Sequence, residues 1–320
     1  MNHPKIVIIG TSPIVPFHVN ALRKSGLDPV AVSSSHKNSF SHKKFSIENN
    51  IPNSFSDWEK MIHKEKYDGI LIASRTKSTI EILKESIKQH VPILVEKPVS
   101  FSSQDIKKLI KTAHDMIMVG YNRRFYKPVN ELKYHISENN KSVFASMIAP
   151  DEVNIENFFS NTAHSIDLLR YVFGDIKIKY VNKLQSNKKI KGLVAEFSNK
   201  NNDLIQFLGN WGASDNFSLS VYSDSKKFQL KPYEELKIFD GMKITEPTKS
   251  EPIRKYVPTL KKTIKLEKID QKIKPGFYQQ SEAFLNLIKN KSITSNSASL
   301  QDAFETVKLC EKLVGNYKFF

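Results

Sequence analysis

The sequence of 320 residues is poor in several features that mark particular protein classes. Its single cysteine, Cys310, can form neither an intramolecular disulfide nor a cysteine metal cluster, and we predict no metal site. Cys310 lies in a helical pattern, so we place it in the core. No apolar run approaches the roughly 18 residues that span a bilayer, and the N-terminus enters a strand without a signal-peptide pattern. We therefore expect a cytoplasmic protein with no membrane partner.

Arginine is also scarce, because only six of the 49 basic residues are arginine. The net charge of +16 would suit nucleic acid. However, the lysines are scattered from end to end, and arginine is the preferred residue for reading bases. We predict a lysine-rich solvated surface and no nucleic-acid partner. The alternative, nucleic-acid binding, would require an affinity that falls steeply with salt.

The first third of the chain alternates apolar strands with amphipathic helices. This alternation predicts βαβ units and a parallel sheet that is covered on both faces. The strands are expected at KIVIIG, DPVAVSS, YDGILIAS, VPILVEKP and MIMVGYN. One helix is expected to begin at SDWEKMIHK, where Ser56 and Glu59 have the spacing of a capping box.

The pattern changes after about residue 120. Helices are predicted near 128–138 and 162–173, and then five stretches follow with a period of two residues. Such stretches indicate an antiparallel sheet with one solvated face. We therefore predict two domains, residues 1–120 and 121–320, with a C-terminal helix that could pack back near the N-terminal domain. Residues 241–275 are rich in Lys, Pro and Thr and are predicted to form an exposed arm or loop, which could contact another subunit.

Four stretches contain residues suited to chemistry. In KIVIIGTSPIVPFHV, Gly10 ends a strand before a helix, as in the dinucleotide-binding pattern G-x-G-x-x-G. In VEKPVS, Lys97 follows a strand at the sheet edge where ligands bind. GYNRRF supplies an amide and two guanidinium groups. In NTAHSIDLLR, His164 and Asp167 share one helix face, and an imidazole there could act as a general acid or base.

The order and spacing of these stretches resemble the Gfo/Idh/MocA oxidoreductases, which include glucose–fructose oxidoreductase and inositol dehydrogenase. The resemblance covers nearly the whole chain, including GFYQQSEAFLNLI and the last helix. It implies an N-terminal Rossmann domain that binds NAD(P). It also implies a C-terminal α+β domain with a large, open, mainly antiparallel sheet, which forms the substrate wall and often the subunit interface. By the same resemblance, Lys97 contacts the substrate hydroxyl and the nicotinamide ribose, and His164 corresponds to the acid/base.

The sequence departs from the family pattern within its motifs. Ser12 and Val15 replace two glycines, so we expect altered phosphate contacts, with hydroxyl groups in place of close backbone approach. Ser160 stands where family dehydrogenases often have an aspartate. In ASRTKST, Arg75 and Thr79 replace a proline and a histidine.

The cofactor preference is predicted from the end of the second strand. No Asp or Glu is present there to hold the ribose 2′-hydroxyl of NAD. The hydroxyl groups and cations of Ser33, Ser34, His36 and Lys37 suit a 2′-phosphate instead. We therefore predict NADP(H) as the preferred cofactor, with NAD(H) possible.

The predicted function is hydride transfer between nicotinamide C4 and a carbinol or keto carbon of a sugar or nucleotide sugar. The predicted assembly is a homodimer or homotetramer through the C-terminal sheet. The alternative is a member that has lost catalysis and acts as a cofactor-binding sensor or scaffold. Ser160 and the altered glycine turn favour that alternative, whereas Lys97 and His164 oppose it.

The predicted site residues fall into three groups. Catalysis is predicted for Lys97 and His164. Cofactor binding is predicted for Gly10, Thr11, Ser12, Pro13, Ile14, Ser33, Ser34, His36, Lys37, Ala73, Ser74, Arg75, Thr79, Glu96, Lys97 and Asn122. Substrate binding is predicted for Lys97, Arg123, Arg124, Ser160, His164 and Asp167.

Overall fold

The chain forms two compact units in its computed structural model, which describes residues 3–36, 39–138, 141–150, 157–186 and 189–315. The first unit contains the chain up to Phe125 together with Lys268–Lys312. The second unit contains Tyr126–Glu267 and the chain from Leu313 onward. This division differs from the predicted boundary at residue 120, because most of the C-terminal helical region joins the first unit.

A six-stranded parallel sheet forms the centre of the first unit, in the order β3-β2-β1-β4-β5-β6. Its strands are β1 Lys5–Ile9, β2 Asp28–Ser33, β3 Asn53–Phe55, β4 Gly69–Ile72, β5 Ile93–Val95 and β6 Ile117–Val119. Its helices are α1 Val15–Lys24, α2 Ser41–Glu48, α3 Trp58–Lys64, α4 Thr76–Ile87, α5 Ser103–Ile110, α8 Phe277–Asn290 and α9 Leu300–Val314. The strand order reverses between β1 and β4, and such a switch point leaves a crevice at the carboxyl ends of the strands.

The strands of this sheet are buried because both of its faces are covered. Every residue of β4, β5 and β6 is buried. Helix α8 packs against α1 although it lies far away in sequence. Its Phe284 is completely buried, and a Cβ atom on Gly69 of β4 would lie 3.0 Å from the Phe284 ring. The predicted parallel sheet with covered faces is therefore confirmed.

The second unit contains an eight-stranded sheet in the order β14-β13-β12-β11-β7-β10-β9-β8. Among the strand pairs described, β7 and β10 are parallel and the others antiparallel. The strands are β7 Phe144–Ala149, β8 Lys177–Ser186, β9 Lys189–Ser198, β10 Leu204–Asn210, β11 Ser218–Ser223, β12 Lys226–Leu230, β13 Glu235–Thr245 and β14 Lys255–Lys265. Helices α6 Lys127–Ser137 and α7 Ala163–Phe173 complete this unit, and one π-helical turn, Phe158–Thr162, precedes α7.

One face of this sheet is exposed, as the period of two residues predicts. In β10, Ile205 and Phe207 are buried, whereas Leu204 and Leu208 alternate with them and are exposed. Leu204 pairs with Phe144 of β7, which pairs on its other side with Tyr222 of β11. An apolar strip therefore crosses three strands on the open face.

Three local predictions differ from the structure. Helix α2 and strand β3 were not predicted, because both lie in one stretch that is rich in turn-forming residues. Helix α3 begins after Asp57 rather than Ser56. The Asp57 carboxylate accepts the N–H groups of Glu59 and Lys60, because an ionised carboxylate is a strong N-cap acceptor one residue nearer the helix.

The segment 241–275 contains an exposed arm, as predicted, but the arm is a β-hairpin rather than a loop. Strands β13 and β14 form a long hairpin, and a short 3-10 helix, Lys268–Gln271, follows. Both faces of the distal hairpin are exposed. Because the distal part has no buried face, its short apolar–polar alternation at Met242–Thr245 does not mark a core-facing strand.

Two further predictions concern the interior and membranes. Cys310 is buried in α9, as its position in the apolar stripe predicts. Within the described part of the chain, no helix is both long and apolar enough to cross a bilayer.

We expect Phe284→Ala to lower the free energy of unfolding of the first unit by about 3–5 kcal/mol, because a large buried ring is replaced by a cavity. The matched control is Phe40→Ala, since Phe40 is 76% exposed; its cost should stay within about 0.5 kcal/mol. Urea unfolding followed by Trp58 emission measures both. Equal effects of the two variants would contradict the packing described for α8.

Candidate functional site

Gly10 occupies the crevice between β1 and β4. Its φ angle is +116°, and a Cβ atom there would lie 2.2 Å from the Ala73 carbonyl oxygen. No side chain fits at that distance, so only glycine allows the two strand ends to approach. The Gly10 N–H also donates to the Ser33 carbonyl at 2.7 Å, which joins the end of β2 to the same point.

The turn after Gly10 uses its hydroxyl groups within the protein. Ser12, in place of the second glycine, donates from Oγ to the Ala73 carbonyl at 3.2 Å. Pro13 is exposed, and Ile14 is the N-cap residue of α1 without a side-chain capping bond. Val15, in place of the third glycine, is completely buried in the core. The turn therefore keeps the first glycine of the pattern and fills the other two positions.

The structure contradicts the role predicted for Ser33 and Ser34. Both are buried, and each hydroxyl donates to a nearby backbone carbonyl, Ser33 to that of Ser34 and Ser34 to that of His36. Buried hydroxyls bonded to the backbone are not available to a ribose phosphate. His36 is exposed, and Lys37 lies outside the described residues.

A row of hydroxyl groups lies beside this strand end and joins Thr11, which was predicted, to Ser39 and Ser41, which were not. Thr11 Oγ1 is 2.8 Å from Ser41 Oγ, which is 2.9 Å from Ser39 Oγ. His42 Nδ1 lies 2.8 Å from the Ser39 carbonyl oxygen, so it donates there. The serine-rich stretch SSSHKNSFSH was the available signal, but helix α2, which begins at Ser41, was needed to bring Ser41 against Thr11.

The turn after β4 contains Ala73, Ser74 and Arg75, and Thr79 follows in the first turn of α4. Ala73 is buried and forms the far wall of the crevice. The Ser74 and Thr79 hydroxyls lie 2.8 Å apart, and Thr79 is buried. Arg75 is the exposed N-cap residue of α4. Of the two replacements noted in this stretch, Arg75 therefore faces solvent and Thr79 stabilises the turn.

Glu96 stands at the carboxyl end of β5 and is held from three sides. His18 Nε2 lies 2.7 Å from Glu96 Oε1, and Nε2 must carry the proton because a carboxylate only accepts. The Lys97 N–H donates to Glu96 Oε2 at 3.1 Å. A Cβ atom on Gly120 would lie 2.9 Å from Oε1, so glycine leaves the space that the carboxylate occupies.

The charge of Glu96 is stabilised although the group is largely buried. Burial by itself would raise the pKa of Glu96. The hydrogen bond from His18, the charges of His18 and Lys97, and the Lys97 N–H together outweigh burial and lower its pKa. The Phe277 ring covers the His18 ring, with centroids 4.5 Å apart. Lys97 itself is half-buried and is followed by a cis peptide bond to Pro98.

The GYNRRF stretch divides into residues with different surroundings. The Asn122 amide donates to the Pro275 carbonyl at 2.9 Å and is buried. Arg123 is half-buried. Arg124 is 4% exposed and pairs with Asp302 at 3.2 Å, at the start of α9. Arg124 is therefore a structural residue, contrary to the substrate-binding role predicted for it, because its guanidinium is enclosed and neutralised.

The predicted residues of the second unit lie around the π-helical turn. His164 and Asp167 are in the first turns of α7, three residues apart, and both are buried. Ser160 lies within the π-helical turn, and its hydroxyl donates to the Asn157 carbonyl at 3.4 Å. Turns of this kind are frequent at functional sites. Nowhere in the described chain do three or more His, Cys, Asp or Glu side chains form a group able to hold a metal ion.

Comparisons with known proteins agree with this geometry. Residues 4–121 match the model of the GFO_IDH_MocA family, described as an oxidoreductase family with an NAD-binding Rossmann fold. The predicted resemblance to this family is therefore confirmed for residues 4–121. A curated relative, myo-inositol 2-dehydrogenase of Thermotoga maritima, is 24% identical over 139 residues, which are 39% of this chain and 42% of the relative. The matched stretch spans only 42% of the length of this relative, and only 39% of the length of a second curated relative.

Solved structures are similar over nearly the whole chain. A putative NADPH-dependent oxidoreductase from Desulfitobacterium hafniense has a TM-score of 0.78 at 15% identity, covering 98% of this chain and 95% of that one. An oxidoreductase from Agrobacterium radiobacter, solved with NAD⁺, L-tartaric acid and magnesium, has a TM-score of 0.76 at 14% identity, covering 98% and 97%. These structures share the fold of both units.

We expect Glu96→Gln to flatten the acid dependence of stability. The folded-state pKa of Glu96 lies below its ordinary value of 4.5. The unfolded chain therefore takes up the proton first, and the stability that Glu96 contributes above about pH 4.5 is lost as the pH falls through the folded-state pKa. Urea unfolding between pH 7 and pH 3 measures the free energy. The control is Glu85→Gln, which removes an exposed carboxylate paired with Lys88 at 2.7 Å. An unchanged slope for Glu96→Gln would contradict the stabilised charge.

Proposed function

We propose that this chain, whose residues 4–121 match the model of the GFO_IDH_MocA family, is an NADP(H)-dependent oxidoreductase acting on a sugar or nucleotide sugar. The observation that carries the proposal is the crevice at Gly10, where any Cβ atom would collide with the Ala73 carbonyl. That cradle, at the switch point of the sheet, fits a dinucleotide. When bound, the nicotinamide accepts or supplies a hydride at C4.

Lys97 and His164 are the two groups proposed to act on the reacting carbon's oxygen and its proton. Lys97 stands at the carboxyl edge of the first sheet. Its ammonium group would donate a hydrogen bond to the oxygen of the reacting carbon and stabilise the negative charge that develops on this oxygen in the transition state. His164 would exchange the hydroxyl proton as general acid or base. Ser160 cannot supply the carboxylate that orients such a histidine. Asp167, one helical turn after His164, is the nearest carboxylate in sequence.

The substrate class is proposed from the relatives and from the cations. A curated relative bears the name myo-inositol 2-dehydrogenase, which supports a polyol or sugar. Arg75 is exposed at the start of α4 and Arg123 is half-buried, so either could hold a phosphate or carboxylate of a nucleotide sugar. Arg124 is left out of this role because Asp302 already neutralises it.

NADP(H) is favoured over NAD(H) by what surrounds the end of β2. No acidic residue lies between Asp28 and Glu48, so no carboxylate there can select the ribose 2′-hydroxyl or repel a 2′-phosphate. The exposed His36 and the hydroxyl row of Thr11, Ser39 and Ser41 offer donors instead. One solved structure similar to this chain is named as NADPH-dependent and another holds NAD⁺, so the relatives support either cofactor.

The open face of the second sheet supports self-association. Leu204, Phe144 and Tyr222 form its apolar strip, and exposed apolar patches of this kind mark interfaces. We propose a homodimer or homotetramer through that face. A cytoplasmic location remains a prediction from the sequence.

We expect NADPH to bind at least about tenfold more tightly than NADH, because charge-assisted hydrogen bonds to a 2′-phosphate contribute about 1.5–3 kcal/mol each. Titration followed by reduced-nicotinamide fluorescence measures both dissociation constants. His36→Asp should remove most of this preference by repelling the phosphate. His63→Asp, an exposed substitution on α3, is the control. Tighter NADH binding would contradict the preference, and binding of neither would favour the sensor or scaffold alternative.

We expect Lys97→Met and His164→Ala each to lower kcat by about 100-fold or more, the range for loss of a positioned proton donor or acceptor. Turnover is measured with NADP⁺ or NADPH and a panel of myo-inositol, hexoses and keto-sugars. Lys111→Met and His63→Ala are the matched controls, because both side chains are exposed. Nearly full turnover in both site variants would remove these two roles.

A further inference from the structure

Both carboxylate oxygens of Glu96 are engaged within the protein. One oxygen is hydrogen-bonded to His18 and the other to the Lys97 N–H. Gly120 leaves the space around it, and the side chain of Glu96 is only 12% exposed. The cofactor contact predicted for Glu96 stays a prediction, and these bonds within the protein indicate a further role for the carboxylate at this edge.

His18 is well placed to hold the carboxylate in one position. Its side chain is 1% exposed, and Phe277 covers one face of the ring. A buried imidazole loses little conformational freedom when it donates, so the bond to Glu96 is preorganised. Through the Lys97 N–H, the same carboxylate fixes the backbone of the residue that carries the ammonium group.

The charges of Glu96 and Lys97 also affect one another. Lys97 is one of the groups whose charge acts on Glu96. The negative charge of Glu96 and the positive charge of Lys97 lie on neighbouring residues in a partly buried site, where screening is weaker than in water. An oxidised nicotinamide ring is cationic, whereas the reduced ring is neutral. An uncompensated lysine at this edge would therefore disfavour the oxidised form alone.

We propose that Glu96, anchored by His18, is a positioning residue that fixes Lys97 and balances its charge, so that this edge of the sheet accepts the cationic ring of an oxidised nicotinamide. This inference rests on the proposed function. It concerns how Lys97 is held and compensated, which the function by itself does not specify.

The test compares the binding of oxidised and reduced cofactor by the wild-type chain and three variants. We expect Glu96→Gln to weaken NADP⁺ binding on the order of tenfold, the effect of one unit charge in a partly buried site, while NADPH binding changes less than about twofold. Adding Lys97→Met to Glu96→Gln should restore the ratio of the two dissociation constants, because the uncompensated charge is then gone. Glu85→Gln is the matched control for removal of a paired carboxylate. Equal loss of both affinities, or a double variant that restores nothing, would overturn the charge balance.

Amide hydrogen exchange in the cofactor-free chain tests the positioning without any ligand. Glu96→Gln and His18→Phe should speed exchange at Lys97 and the residues after it, while β1 exchanges as in the wild type. His18→Gln, which keeps an N–H donor, should restore slow exchange. Unchanged exchange in Glu96→Gln would overturn the positioning. If the wild-type chain binds neither cofactor form, the proposed function fails, and exchange still decides whether Glu96 holds Lys97.

Discussion

The approach of Gly10 to the Ala73 carbonyl is the constraint on which the first unit depends. A Cβ atom on Gly10 would come within 2.2 Å of that oxygen, so β1 and β4 can end side by side only around a glycine. The Gly10 N–H reaches the end of β2, and the Ser12 hydroxyl reaches Ala73 again from the following turn. Three strand ends therefore meet at a position without a side chain, and the crevice opens there because the strand order reverses.

The two missing glycines are explained by what replaced them. In the G-x-G-x-x-G pattern the second glycine allows close backbone approach to a pyrophosphate, and the third allows close packing of helix and strand. Here Val15 contributes a completely buried side chain to the core, and Ser12 bonds across the crevice. The turn has exchanged backbone access for side-chain packing and a hydrogen bond. The cradle at Gly10 is retained, so the change bears on the phosphate contacts and leaves the crevice itself intact.

Sequence reasoning succeeded where a periodic pattern or a motif reports on local structure. The parallel strands, the antiparallel sheet, Cys310 in the core and the crevice glycine all follow from period, burial or backbone geometry. It failed where a role depends on a distant partner. From the sequence, Arg124 is expected to bind an anion, whereas in the structure it pairs with Asp302, which is far away in sequence. Ser33 and Ser34 read as ligand donors until their hydroxyls are seen to bond the neighbouring backbone. The distal part of the β13–β14 hairpin lacks a buried face, so its side chains do not mark a core-facing strand.

The motifs that carried the family resemblance have a common physical basis. His18 and Glu96 are 78 residues apart, yet their side chains form one hydrogen bond, and Gly120 provides the space in which it lies. A buried carboxylate needs compensation, because desolvation favours its neutral form. His18 and the Lys97 backbone and charge provide that compensation, and a side chain at position 120 would displace the carboxylate. His18, the E-K-P stretch and the glycine of GYNRRF therefore depend on one another. That mutual dependence explains why their joint occurrence is far more specific than any one of them, and why a change in one would be felt at Lys97.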